Sequence, residues 1–328
     1  MKKDRYNGEQ TASALRQLET RRRRCGRKVA LIVATIVGLG GVALAQQPPQ
    51  PQQSQTMTVH PLREGAVYWI AGGGGNSGVI IGQHGVIIVD AKTTRDAAEQ
   101  LIAEVAKLTP KPITHVIITH SDCDHVNGLA GFPDGLTIIA HVNEKQEQEA
   151  AFAAGGRGMP PANRLPTQVV TQDSESITIE GIHFVLLHWA PAHTNGDLAV
   201  YLPDEKIVFT GDILTTLILV HPDKNGTLDG WFKTARGLLA LDADTYVPGH
   251  GSTVESKAGI QERIDDNQAK RDKIAAMMKE GKSLESIKTA MGDPPGPGPS
   301  GCRGIPFPSF TDTEYQFQSS KNRSRSDQ

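Results

Sequence analysis

The stretch Ile113-Thr114-His115-Val116-Ile117-Ile118-Thr119-His120-Ser121-Asp122-Cys123-Asp124-His125 decides how the chain is read. Its first half is an apolar, β-branched run; its second half gathers His120, Asp122, Asp124 and His125. A buried strand that ends in imidazoles and carboxylates delivers ligands at its C-terminal end. Successive side chains of a strand point to opposite faces, so four ligands cannot converge from a regular one. Residues 120–125 are therefore expected to form a loop curled around an ion. Neutral imidazole with carboxylate suits zinc, and also iron or manganese. By alternation with Asp122 and Asp124, Cys123 should point away from the ion.

Further motifs follow in order. His120-Ser121-Asp122-Cys123-Asp124-His125 resembles the His-x-His-x-Asp-His signature of the metallo-β-lactamase-fold hydrolases, with Asp122 in place of the second His. Ala192-His193-Thr194-Asn195-Gly196-Asp197 resembles that family's HT-x-GD loop. Phe209-Thr210-Gly211-Asp212 resembles its F-x-GD strand end, and Val247-Pro248-Gly249-His250-Gly251 its PGHG loop. The resemblance covers roughly residues 59–280, and four ordered motifs make it specific to the superfamily, though not to a substrate.

It implies an α/β fold, the four-layer αββα sandwich of the metallo-β-lactamase type. It also implies two divalent metal ions, with zinc ranked first and iron or manganese the alternatives that Asp122 allows. His120, Asp122 and His193 would hold one, Asp124, His125 and His250 the other, and Asp212 would bridge them. Asp124 would be catalytic, orienting a metal-bound hydroxide and passing its proton to the leaving group. Asp90 would sit beneath the metals, and His141 would be structural. Asp122 raises the carboxylates at the site from two to three, which lowers Lewis acidity and tilts the metal from zinc toward iron or manganese. The flavodiiron proteins of the superfamily carry an acid there and bind iron, but this sequence lacks their flavodoxin domain.

A bridging Asp is typical of the glyoxalase II-like thioesterase branch and of lactonase and phosphodiester branches. Metal-dependent hydrolysis of an ester, thioester or lactone therefore ranks first. A periplasmic β-lactam hydrolase and a non-hydrolytic iron-binding redox or accessory protein are the alternatives.

Upstream, Arg21–Arg24, Arg27 and Lys28 precede an apolar run from Val29 to Ala45 that ends in a small-x-small site. This is the order of a secretory signal peptide, or of a membrane anchor if it is not cut. Export to the periplasm or medium is expected, by the general or the twin-arginine route. Residues 1–45 hold ten Lys/Arg and three Asp/Glu, so the remaining 24 basic residues face 33 acidic ones, a net charge of −9. An acidic mature chain argues for a small-molecule substrate and against nucleic acid. Membrane contact is expected only through an uncleaved N-terminal segment.

The Pro/Gln-rich residues 46–58 read as a flexible tether. A single domain is expected over 59–291, followed by a Pro/Gly-rich and polar tail over 292–328, with an aromatic strand or cap at 306–317 and disorder over the last ten residues. Gly72–Gly75 lacks the Lys-Ser/Thr of a phosphate loop and reads as a hairpin turn. Gly155–Pro166 is a surface loop or a substrate lid. Of the three cysteines, Cys25 lies in the leader, and Cys123 and Cys302 are expected to be unpaired.

Overall fold

The computed structural model describes residues 56–154, 162–215, 217–294 and 306–326. The expected leader, most of the expected tether, Cys302 and the first part of the Gly155–Pro166 loop lie outside them. Among the described residues no helix is long and apolar enough to cross a membrane.

Two sheets form the centre. The first has the order β1 (Thr58–Arg63), β2 (Val67–Ala71), β3 (Ser77–Ile81), β4 (Val86–Val89), β5 (Ile113–Ile117), β6 (Thr137–His141), β7 (Gln168–Val170). It is antiparallel from β1 to β4 and parallel from β4 to β7. The second has the order β12 (Thr245–Pro248), β11 (Ile207–Gly211), β10 (Ala199–Leu202), β9 (Ile182–Leu187), β8 (Ser174–Ile179). Only its β11–β12 pair is parallel.

Strand alternation explains the layering. In β4, Ile87 and Val89 pack between the sheets with Phe184, Leu186, Val200 and Phe209, while Val86 and Ile88 face the outer helix α1 (Arg95–Leu108). A parallel strand covered on both faces has no polar side, so β4 reads as an unbroken apolar run. The second sheet turns its other face to the helices at Leu228–Ala240 and Lys257–Lys279. The expected αββα sandwich is thus what the chain forms. Each fully buried Ile, Val or Phe contributes about 1.5–3 kcal/mol, so the inter-sheet layer fixes the register of both sheets.

Three expectations are corrected. Thr58 is not tether but the first residue of an edge strand, Thr58–Arg63, which the pattern did not show because its half-exposed, Pro-containing sequence lacks a clean alternation. The tail forms a helix over Phe310–Ser326 where a disordered end was expected, and the expected strand or cap at 306–317 is a cap, made by the start of that helix. Ser309 and Asp312 cap its start reciprocally: Ser309 Oγ accepts from Asp312 N at 3.1 Å, and Asp312 Oδ2 accepts from Ser309 N at 3.3 Å. Phe310 and Tyr315 pack on Ile274, Met277 and Ile287. Finally, Cys123 is disulfide-bonded, not free. It opens the one-turn helix α2 (Cys123–Val126), half-buried, and is absent from both clusters of potential metal ligands.

Candidate metal centre

All predicted ligands sit at one edge of the sandwich, after β5, before β10 and after β11 and β12. Because β4 and β5 are parallel, Asp90 at the end of one lies beside Thr119 at the end of the other. Asp90 accepts from Thr119 N (2.8 Å), Thr119 Oγ1 (2.7 Å) and His125 Nδ1 (2.8 Å). It does so in a left-handed backbone conformation (φ 62°), a strained geometry held by those three bonds. The next turn is pinned from below by Lys92. Its fully buried ammonium donates to Ile70 O and Gly75 O at 2.7 and 2.8 Å, and burial pulls its pKa down to about 7 against the pull of Asp90. Gly75 must be glycine, since a Cβ there would enter the His125 ring.

The chain then curls. His125 N and Val126 N both donate to Asp122 O, which closes the turn and sends Asp122 to one side and Asp124 with His125 to the other. In the 192–197 loop, Asp197 accepts from Thr194 N (3.0 Å), Thr194 Oγ1 (2.6 Å) and Ala192 N (3.2 Å). That motif's Thr and Asp therefore shape the turn that aims His193, while His193 Nδ1 donates to Leu219 O at 2.9 Å. Gly249 lies against Asp212, where a Cβ would clash with Oδ1.

The seven predicted side chains fall into two groups. His120, Asp122, His193 and Asp212 form a buried one, and Asp124, His125 and His250 a second. In the first, Asp122 Oδ2 stands 3.2 Å from His193 Nε2 and 3.8 Å from His120 Nε2. In the second, His250 Nε2 is 3.1 Å from Asp124 Oδ2 and 3.3 Å from His125 Nε2. Asp212 spans both: Oδ1 is 3.3 Å from His125 Nε2, and Oδ2 is 3.8 Å from His193 Nε2 and 3.4 Å from His250 Nε2. His120 Nε2 and Asp212 Oδ1 are buried with no hydrogen-bond partner. Buried polar atoms are seldom orphaned, and here they face a ring of imidazole and carboxylate donors. The donor set fits divalent metal ions.

The electrostatics of these side chains point the same way. Burial alone would raise the Asp212 and Asp122 carboxyls, but the imidazoles around them hold both well below the carboxylate range. Asp124, likewise burdened by burial, is held low by His125 and His250. Burial disfavours charged imidazole at His193 and His250, yet Asp122 for the first and Asp124 with Asp212 for the second push each up to about 9. His120 is driven well below the ordinary range by burial and by the neighbouring His125.

Several contributors carried no mark in the sequence. His221 puts Nε2 2.9 Å from Asp122 Oδ2, although the two lie 99 positions apart. Lys224 Nζ donates to Asp122 Oδ1 and, at 2.9 Å, to Ser121 Oγ, which in turn donates to Glu147 Oε2 at 2.5 Å. His221 caps and Lys224 ends a one-turn 3-10 helix (Pro222–Lys224) in the loop after Asp212, too short to carry a readable spacing. Phe307 covers His221, ring centroids 4.2 Å apart. His141 is structural as expected: Nδ1 accepts from Asn143 N at 3.3 Å, and its ring stacks on His188.

The fold and this site define a sandwich protein with a two-part His/Asp cluster at its edge that could hold metal ions. Residues 70–250 match the family model described as Metallo-beta-lactamase superfamily, and the chain belongs to that superfamily. It is similar to the 2,4-dinitroanisole O-demethylase subunit alpha of Nocardioides sp. (strain JS1661), 32% identical over 62% of this chain and 60% of that protein. It is 24% identical to the linear primary-alkylsulfatase of Pseudomonas sp. (strain ATCC 19151) over 58% of this chain and 43% of that one. It is 30% identical to the hydroxyacylglutathione hydrolase of Brucella anthropi over 58% and 70% respectively. The chain thus spans less than two thirds of the length of the first two. Among solved structures, the inverting sec-alkylsulfatase Pisa1 from Pseudomonas sp. superposes with a TM-score of 0.58 at 18% identity, over 70% of this chain and 44% of that one. DIM-1 metallo-β-lactamase does so with 0.52 at 16%, over 64% and 95%. These two show the fold alone.

Proposed function

We propose that the chain is an exported, metal-dependent hydrolase of a small-molecule ester, thioester or lactone. The observation that carries this reading is Asp212, whose Oδ1 stands 3.3 Å from His125 Nε2 and whose Oδ2 stands 3.8 Å from His193 Nε2, so that one carboxylate reaches both histidine groups. His120, Asp122 and His193 would hold one ion, Asp124, His125 and His250 the other, and Asp212 both. Zinc, iron and manganese all suit these donors. When bound, such a pair supplies a water acidified to near neutrality and a Lewis acid for the scissile group.

The chain's own residues do the rest. Asp124 is the most open of the carboxylates, and its low pKa leaves it ionised at neutral pH. It can take the proton of the attacking water at a carboxylate oxygen and return it to the leaving oxygen or sulfur. His250, 39% exposed, marks the solvent side where substrate enters, while the His120 side is closed. Similarity to hydroxyacylglutathione hydrolases and to the atrochrysone carboxyl ACP thioesterase of Aspergillus fumigatus supports the thioester member of the class. Export rests on the basic-then-apolar order of residues 21–45.

The test is a panel of p-nitrophenyl acetate, an acyl thioester, a γ-lactone and nitrocefin, with and without EDTA. EDTA-sensitive turnover of the first three above nitrocefin is expected, and Asp124→Ala should lower it by about 10²–10⁴-fold. Metal-loaded protein inert toward the first three would overturn the proposal.

A further inference from the structure

We propose that His221 is a further ligand of the ion held by His120, Asp122, His193 and Asp212. The inference rests on the metal reading above and extends it to a residue outside the family motifs quoted for this chain.

The first argument is position. Donor atoms bound at about 2.1 Å to one ion stand roughly 3.0–3.4 Å apart when adjacent. His221 stands outside the group formed by His120, Asp122, His193 and Asp212 and approaches it from the Asp122–His193 side: Asp122 Oδ2 has His221 Nε2 at 2.9 Å and His193 Nε2 at 3.2 Å. The His221 and His193 rings meet edge to face, centroids 4.8 Å apart. The second argument is wiring. A metal-bound histidine almost always donates its outer ring N–H to a carboxylate, carbonyl or other acceptor, leaving the inner nitrogen's lone pair for the ion. His125 does so to Asp90, His193 to Leu219 O, and His120 Nδ1 faces Thr119 Oγ1 at 3.0 Å. His221 repeats the pattern, with Nδ1 3.3 Å from Asp223 Oδ1 and Nε2 directed inward.

The third argument is rigidity. His221 N donates to His193 O at 2.8 Å, and His221 O accepts from Lys224 N and Gly226 N at 3.0 and 2.9 Å. The residue is fastened to the ligand loop on one side and to its own turn on the other, and Phe307 covers the ring. The chemistry is that of an exchange. Asp122 stands where the family signature has an imidazole, and His221, brought in from the loop after Asp212, restores a third imidazole beside the carboxylate. With His221 the residues would offer such an ion three imidazole nitrogens and two carboxylates, more donors than a tetrahedral site takes.

Metal-free, full-length protein titrated with cobalt(II) alone tests this, followed by equilibrium dialysis and visible absorption. Wild type should take up two equivalents. His221→Ala should bind one of them at least about tenfold more weakly, with stronger visible bands as the coordination number falls. His221→Gln can still donate to Asp122 but ligates poorly, so it should behave like the alanine variant. If His221→Gln keeps wild-type affinity and spectrum, His221 only holds Asp122 by a hydrogen bond and the proposal fails. Circular dichroism checks that each variant folds. Should neither fold, the wild-type cobalt protein decides by its contact-shifted, exchangeable imidazole N–H resonances. Five support His221 as a ligand beside His120, His125, His193 and His250, and four overturn it. Wild type that binds no cobalt defeats the metal reading and this ligand together. Two bound equivalents with an unchanged glutamine variant defeat only the ligand.

Discussion

Asp90 never faces the ions' position, yet its carboxylate sets both the tautomer and the tilt of His125. Replacing it by Asn keeps the shape but removes the charge that stabilises the Nδ1–H. Asp90→Asn should therefore bind one of two cobalt ions about 10–100-fold more weakly while the fold stays intact, as dialysis and circular dichroism will show. Protons and ions compete for the same nitrogens. In the ion-free chain His193 and His250 are pushed up to about 9, above the ordinary value of 6.5. Groups raised on folding lend stability below the unfolded pKa and lose it as pH rises through the folded one. EDTA-treated protein should thus lose this contribution between pH 6.5 and 9, where ion binding meets less proton competition. The Tm gap between metal-loaded and metal-free protein should widen over that window; a constant gap would refute the assignment. Residue types alone marked only the cluster at 120–125; the full seven-residue set, with His193, Asp212 and His250, was legible through the ordered motifs shared with the family. His221 and Lys224 were not legible, because their partner Asp122 is reached only through tertiary contact.

At the scale of elements, the helix α3 (Val142–Ala153) was legible in its extent but not in its buried face. Glu144 and Gln148 are fully buried, and Gln148 Nε2 donates to Glu144 Oε1, leaving Glu144 Oε2 without a partner. Spacing of four residues marks them as one face of a helix, but two polar residues on a face read as solvent-side until the Gly196 loop is seen packed on Glu144. Burial pushes the Glu144 carboxyl up to about 8. A carboxyl raised on folding is neutral in both states at low pH and destabilises the fold as pH climbs from its unfolded to its folded pKa. Here that window runs from about 4.5 to about 8, and the loss amounts to several kcal/mol at its upper end. Glu144→Gln removes the loss. The variant should melt near wild type at pH 5, increasingly above it up to pH 8, and by a fixed margin beyond. A margin independent of pH would show that Glu144 is not buried as an acid. The edge strand Thr58–Arg63 was hidden for the related reason that half-exposed strands do not alternate cleanly.

Across the whole molecule, several core strands and the helix Arg95–Leu108 could be read from local apolar pattern, whereas the pairing of the strands into two sheets followed only from the family resemblance. The C-terminal helix could not, since its sequence is dominated by Ser, Gln, Asn, Lys and Arg and only a few side chains touch the body. Those few matter. Glu314 is fully buried against Arg271 Nε at 2.7 Å, and Arg271 also pairs with Asp229 at 2.8 Å. Phe310 and Tyr315 close over Ile274, Met277 and Ile287, and Phe307 lies on His221. Truncation after Asp293 would uncover that apolar cluster and leave Arg271 with one partner instead of two. A loss of about 3 kcal/mol is expected from the exposed side chains and the broken buried pair. For a chain of this size that lowers Tm by roughly 6–12 °C. Full-length and truncated proteins should be compared under reducing conditions, so that the disulfide at Cys123 is open in both. The drop should appear in EDTA as well as with metal, because most of the lost contacts lie on Lys257–Lys279 and not at the metal centre. A truncated protein that melts within about 2 °C of full length in EDTA would mean that the terminal helix adds nothing to the fold. If the drop occurs only with metal present, the tail would act through His221 alone.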